Sequence, residues 1–166
     1  MKQILIEKYI EPSEIFVYTP TIDEMAYFYR SGYKIHRWFN RYGELHSCLG
    51  QPAEVHYNGK GWVYSQSWLK NGILHRDKDQ PAEIRYSTID NVSIYVSSKF
   101  WNKKGKLHRD GDKPAIIFFD FKSGNVSEER WFKNGEQHRD GSEYVTVDYF
   151  NNGTIKKQYL KVEHPW

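Results

Sequence analysis

Cysteine is nearly missing from this sequence: Cys48 is the only one in 166 residues. No intramolecular disulfide can form, which fits a reducing compartment. Long apolar runs are missing too. Near the N-terminus the run Ile4–Ile6 is broken by Glu7, too short for the core of a signal peptide. No stretch reaches the roughly 18 apolar residues of a membrane-spanning helix. The expectation is a cytoplasmic chain, not secreted and without a transmembrane segment. Charge of one sign is also scarce. The net charge is +3 and the pI about 8.8. Glu54, Glu83, Glu128 and Glu129 interrupt any basic strip, which argues against nucleic acid as a partner.

What the chain does have is aromatic rings: 13 Tyr, 9 Phe and 6 Trp, 17% of residues. Such residues suit strands and argue against disorder. It also has a repeat. "LHRDKDQPA", "LHRDGDKPA", "QHRDGSEYV" and an irregular "LHSCLGQPA" are centred on His75, His108, His138 and His46. Three residues before each histidine stands Gly43, Gly72, Gly105 or Gly135. Seven before stands Phe39, Trp68, Trp101 or Trp131. Six after stands Pro52, Pro81, Pro114 or Tyr144. A period near 30 residues is the mark of a repeat architecture.

After each proline comes a period-2 segment, "AEVHY", "AEIRY", "AIIFF" or "VTVDY". Alternation of this kind marks a half-buried strand. Only the third copy breaks it, with Ile116 and Phe118 on the polar face. A turn follows, then a second strand ending in the aromatic, then a short Gly turn and the His-Arg loop. The longer spacing between Pro81 and Trp101 comes from extra residues around "STIDNVS", expected as a surface turn. The predicted fold is all-β: a single-layer antiparallel β-meander of four to five hairpins over 23–160. Residues 1–22 are expected as an N-terminal cap and 161–166 as a C-terminal tail, both covering sheet edges.

The pattern Trp-x3-Gly-x-Leu-His-Arg-Asp-x-Asp-x-Pro-Ala resembles the divergent MORN-type repeat, in the version known chiefly from proteins of large DNA viruses of amoebae. The resemblance covers roughly 23–160. These units are longer and poorer in glycine than the ordinary MORN pattern. The resemblance implies a MORN-like hairpin array in a viral protein, used for protein–protein contact, assembly or membrane-proximal scaffolding.

The His-Arg-Asp sets look like catalytic equipment. A kinase catalytic loop, however, needs Asn five residues after the Asp, where Ala82, Ala115 and Val145 stand. A shared zinc fails on distance: equivalent histidines two strands apart lie about 10 Å from one another, and zinc ligands sit at about 2 Å. A motif copied once per repeat points to a task done once per repeat, holding the loop. The histidine ring is expected to bridge loop backbone groups and pack on the Trp seven residues back. Arg76, Arg109 and Arg139 are expected to pair with nearby Asp or cap loop carbonyls, and Pro81 and Pro114 to start the next strand. No catalytic residue, metal or cofactor is assigned.

The reading is a non-enzymatic scaffold with a protein partner, self-association included. The alternative is weak binding to anionic lipid through Lys103, Lys104, Lys106, Lys156 and Lys157. Cys48, standing where other copies have Asp, is the one irregular reactive group.

Overall fold

The computed structural model describes residues 6–9, 25–30, 33–89 and 93–161, with side chains from Lys34 onward. The described residues are all-β and hold no helix. Most of the expected cap, 1–22, and the tail beyond Lys161 lie outside them. The chain divides into two compact units, 1–75 and 76–166.

In the first unit, β1 (Ile6–Tyr9), β2 (Met25–Arg30), β3 (Tyr33–Trp38), β4 (Glu54–Tyr57) and β5 (Val63–Ser67) form a sheet in that order. β6 (Leu69–Lys70) and β7 (Ile73–Leu74) form a small hairpin. In the second unit, β8 (Glu83–Ile89) and β9 (Ser93–Phe100) are followed by the hairpin of β10 (Asn102–Lys103) and β11 (Lys106–Leu107). Next come β12 (Ile116–Phe119), β13 (Val126–Arg130) and the hairpin of β14 (Phe132–Lys133) and β15 (Glu136–Gln137). β16 (Tyr144–Tyr149) and β17 (Ile155–Leu160) follow. The sheet order in this unit is β8-β9-β12-β13-β16-β17, each strand antiparallel to the next.

β1, which falls within the expected N-terminal cap, runs parallel to β2 at the edge of the sheet order, so the sheet is not antiparallel throughout. One expectation is corrected here. The extra residues around "STIDNVS" do not simply enlarge a turn. They lengthen the strands, so β8 has 7 residues and β9 has 8, against 4 in β12. The second strand of these hairpins ends at the tryptophan: the Trp101 N–H still bonds the Ala115 carbonyl at 2.8 Å and the Trp131 N–H the Val145 carbonyl at 2.9 Å, and the next residues turn into the small hairpins.

Those hairpins are closed by Asn71-Gly72, Lys104-Gly105 and Asn134-Gly135, with φ of 50° and 74°, 52° and 79°, and 55° and 92°. Two successive positive φ values define the type I′ turn, whose twist matches its strands. Gly135→Ala should therefore cost about 1 kcal/mol and lower the melting temperature by about 2–4 °C. A Cβ at Gly135 would meet Lys106 at an ordinary 3.7 Å, so the cost comes from the backbone, and calorimetry of the variant checks it.

The core is small and repeats with the units. Ala53, Ala82, Ala115, Val55, Val145 and Val147 are buried, and so are Trp68, Trp101 and Trp131. The third unit's departure from alternation has a physical explanation. Ile116 pairs with Phe100 on one side and Arg130 on the other. The Arg130 guanidinium lies 5.2 Å from the Phe118 ring and that of Arg85 lies 4.6 Å from Phe100. Flat cations cover these rings from the polar face.

Candidate functional site

The His-Arg loops are built by local backbone chemistry. Leu49 and Gly50, Lys78 and Asp79, and Gly111 and Asp112 all have positive φ, between 50° and 79°. Four of these six positions carry a side chain, and Asp tolerates the left-handed region better than most. Each loop is thus a tight turn that leaves one backbone carbonyl available as an acceptor. That carbonyl is used. The Trp68 indole N–H donates to the Gly50 carbonyl at 2.9 Å, Trp101 to Asp79 at 3.0 Å and Trp131 to Asp112 at 3.2 Å. Every acceptor lies in the repeat before the donor.

The arginine adds a second tie to the preceding repeat. The Arg109 guanidinium lies 3.8 Å from the centre of the Trp101 ring, and that of Arg139 lies 3.9 Å from Trp131. Arg109 donates two bonds to the Asp79 carboxylate, at 2.8 and 3.2 Å, the fork geometry that arginine supplies and lysine does not. Arg139 approaches Asp112 at 3.9 Å. Arg76 and Arg109 also donate to the Pro81 and Pro114 carbonyls, each at 3.3 Å. Both expected roles of the arginines, pairing with Asp and capping carbonyls, are therefore occupied. The cation resting on the indole is the guanidinium, a contact expected of the imidazole.

The histidine ties forward. Its own N–H bonds the carbonyl of the tryptophan seven residues back in three copies: His75 to Trp68, His108 to Trp101 and His138 to Trp131. The His108 Nδ1 accepts the Asn134 N–H at 3.1 Å, from the turn of the following repeat. Its other nitrogen, Nε2, then carries the proton and donates to Asp110 at 2.8 Å. His46 accepts the Asn71 N–H in the same way, at 3.2 Å. The glycine of two of these turns adds one more bond: Gly72 N–H to the Leu45 carbonyl and Gly135 N–H to the Leu107 carbonyl.

The first copy departs from this plan in instructive ways. His46 bonds the Trp38 carbonyl and the Trp38 N–H bonds Ala53. Trp38, not Phe39, is therefore the equivalent aromatic, because this hairpin carries a longer loop bridged by Phe39 and Leu45. Ser47 stands in the arginine position, and its Oγ accepts the Leu69 N–H at 3.0 Å. Cys48 is a free, half-buried thiol whose carbonyl closes the loop turn with Gln51.

The electrostatics follow the ties. Bonds from Arg109 hold the Asp79 carboxyl at about 2; burial works in the opposite direction and Lys113 adds to the lowering. His108 and then Lys103 bring Asp110 to about 2. At Glu54, burial works to raise the pKa, and bonds from His56 and Arg37 outweigh it, so the net shift is downward. Burial pushes His36 down to about 4, with Lys34 adding to the effect. A folded-state pKa below the ordinary 3.8 for Asp79 means stability that is present above pH 3.8 and lost as pH falls toward 2. The melting temperature should drop across that window, and Asp79→Asn should flatten part of the drop. Calorimetry between pH 2 and 5 reads it; an unchanged slope contradicts the pairing with Arg109.

The five candidate lipid-contact lysines do not form one patch. Lys103, Lys104 and Lys106 sit on the β10–β11 hairpin, and Lys103 is bonded to Asp110 at 2.8 Å. Lys156 and Lys157 sit on β17, and β12, β13 and β16 lie between β9 and β17 in the sheet. Among the described residues no group of three His, Cys, Asp or Glu is placed to hold a metal ion, and no helix is long and apolar enough to cross a membrane.

The pairing of Asp79 and Asp112 with the next repeat was missed by reasoning from sequence, as was the role of Asn71 and Asn134. The spacing Asp-x-Asp in the loop and the Asn-Gly pairs were the available signals. Compared with protein-family models, curated proteins and solved structures, the chain matches none.

Proposed function

We propose that the chain is a non-enzymatic repeat scaffold that binds proteins, an array of the divergent MORN-type kind. The observation that carries this reading is the fate of the His-Arg-Asp groups. His108 uses both ring nitrogens, Arg109 uses its fork and its flat face, and Asp79 and Asp110 are ion-paired with Arg109 and Lys103. Groups so committed hold neighbouring repeats together and are poorly placed to move protons or attack a substrate. Outward-facing side chains on the strands are then the remaining chemistry of the chain. The lipid reading draws no support from the separated lysines.

Two measurements test this. Cross-linking of the intact chain in extracts of its native source, with mass spectrometry, should recover the same protein in every replicate. Co-sedimentation with vesicles containing 30% phosphatidylserine, roughly a strongly anionic leaflet, at low salt should leave the chain in the supernatant. Recovery with the vesicles and no protein cross-link would reverse the choice between the two readings.

A further inference from the structure

One face of the second unit is ordered in two rows. Cross-strand pairing aligns Glu83, Phe100, Ile116 and Arg130 across β8, β9, β12 and β13. Two residues along each strand, it aligns Arg85, Ser98, Phe118 and Glu128. Residues two apart on a strand point to the same side, so all eight share this face. Both outer strands carry Glu-x-Arg, and β13 runs opposite to β8. The four charges therefore stand at the corners of a square and alternate in sign.

Within the chain each carboxylate holds the arginine of its own strand, Glu83 with Arg85 at 2.6 Å and Glu128 with Arg130. The Arg85 and Arg130 side chains nevertheless stay 55% and 40% exposed. Between the corners, Phe100 and Phe118 meet edge to face, with ring centres 6.2 Å apart. Ile116 and Ser98 are buried beside them. Toward β16 and β17 the same face opens into a groove of about 310 Å³, lined by Glu128, Arg130, Thr146, Asp148 and Tyr159 among others.

The pattern selects one occupant. Two positive and two negative corners cancel, so the square offers no net field to a polyanion or to a basic partner. An alternating square is, however, the complement of its own image. A copy turned over about an axis lying in the sheet plane, across the strands, exchanges the two rows and keeps the strand order. Glu83 then faces Arg85 of the second copy, Glu128 faces Arg130, and the reverse pairs form with them. Phe100 faces the small Ser98, Phe118 faces Ile116, and Thr146 faces Asp148. Sheets packed face to face stand about 10 Å apart, a gap that an arginine and a glutamate span together. All six strands of the unit overlap in this arrangement, roughly 29 Å by 16 Å of sheet, which suits a small, reversible interface. We propose that two copies of this chain pair through this face, as an isologous dimer with its two-fold axis across the strands. The proposal rests on the scaffold reading and names the partner as the chain itself.

Sedimentation equilibrium of the full chain tests this. A mass approaching twice 19.8 kDa is expected at about 100 µM chain, with a dissociation constant of about 1–100 µM. R85E/R130E makes all four corners negative, and E83R/E128R makes all four positive. Each variant alone should associate about tenfold more weakly or less, and their equimolar mixture should restore the dimer. The fourfold reversal E83R/R85E/E128R/R130E keeps the pairs within each strand and the alternation. It should dimerise with itself and exchange no subunits with the unsubstituted chain. An unsubstituted chain that stays monomeric at about 1 mM overturns the proposal. So does a dimer that survives in both double variants, which places the contact elsewhere, or a mixture of the two that stays monomeric. If a double variant unfolds, the fourfold reversal decides: a folded monomer, or free subunit exchange with the unsubstituted chain, overturns the proposal. Its failure leaves the scaffold reading standing if cross-linking recovers a different protein.

Discussion

Trp101→Ala should lower the stability of the second unit by about 3–5 kcal/mol and its melting temperature by about 10 °C. The side chain is 7% exposed, carries the Arg109 guanidinium at 3.8 Å and donates to the Asp79 carbonyl at 3.0 Å. Truncation removes the ring from the core, leaves the guanidinium without its platform and leaves the loop carbonyl without its donor. Trp101→Phe separates these losses. It keeps an aromatic surface under Arg109 but has no N–H, so it should cost about 1–2 kcal/mol. If the two variants melt together, the indole hydrogen bond carries the stability and the burial does not. Because stability in a repeat array is a sum of unit and neighbour terms, the loss should be felt most by β8, β9 and β12. Hydrogen exchange of those strands reads it locally.

His108→Ala should cost about 2–3 kcal/mol, the sum of two hydrogen bonds and a buried ring. The melting temperature should fall by about 4–9 °C. His108 is 9% exposed and joins Asp110 of its own loop to the Asn134 N–H of the next repeat. His138→Ala, with one such bond and a half-exposed ring, should cost well under half as much. The contrast between two residues of one motif is the informative measurement. Equal effects would mean that the bond to the following turn contributes nothing. A variant with unchanged melting but lost partner binding would overturn the structural role itself.

Much of the fold was legible in the sequence, and for an identifiable reason. A strand with one buried face must alternate, so "AEVHY" and "VTVDY" carry their conformation with them. A type I′ turn needs two positive φ values, so Asn71-Gly72 and Asn134-Gly135 announce themselves. Copy number was the strongest signal about the His-Arg-Asp sets, because a chemical step needs one site and a structural tie is needed at each junction. Less legible was the first strand, since β1 pairs in parallel through a connection with no local signature. Trp38 was also hidden, because a longer loop shifts the spacing to His46 by one residue.

By itself, then, the sequence determined the period, the strand faces, the turn types and the recurrence of one tie per repeat. Those properties depend on neighbours in the chain: alternation, backbone dihedrals and spacing. Only the tertiary structure decided what each tie grips. Asp79 meets Arg109 and Lys113, the Gly50, Asp79 and Asp112 carbonyls meet the next tryptophan, and His108 meets the Asn134 N–H. These partners stand 18 to 34 residues apart, and a hydrogen bond is made at a distance of about 3 Å in space whatever the separation in sequence. The loop "LHRDGDKPA" holds two junctions at once, backward through Arg109 and forward through His108.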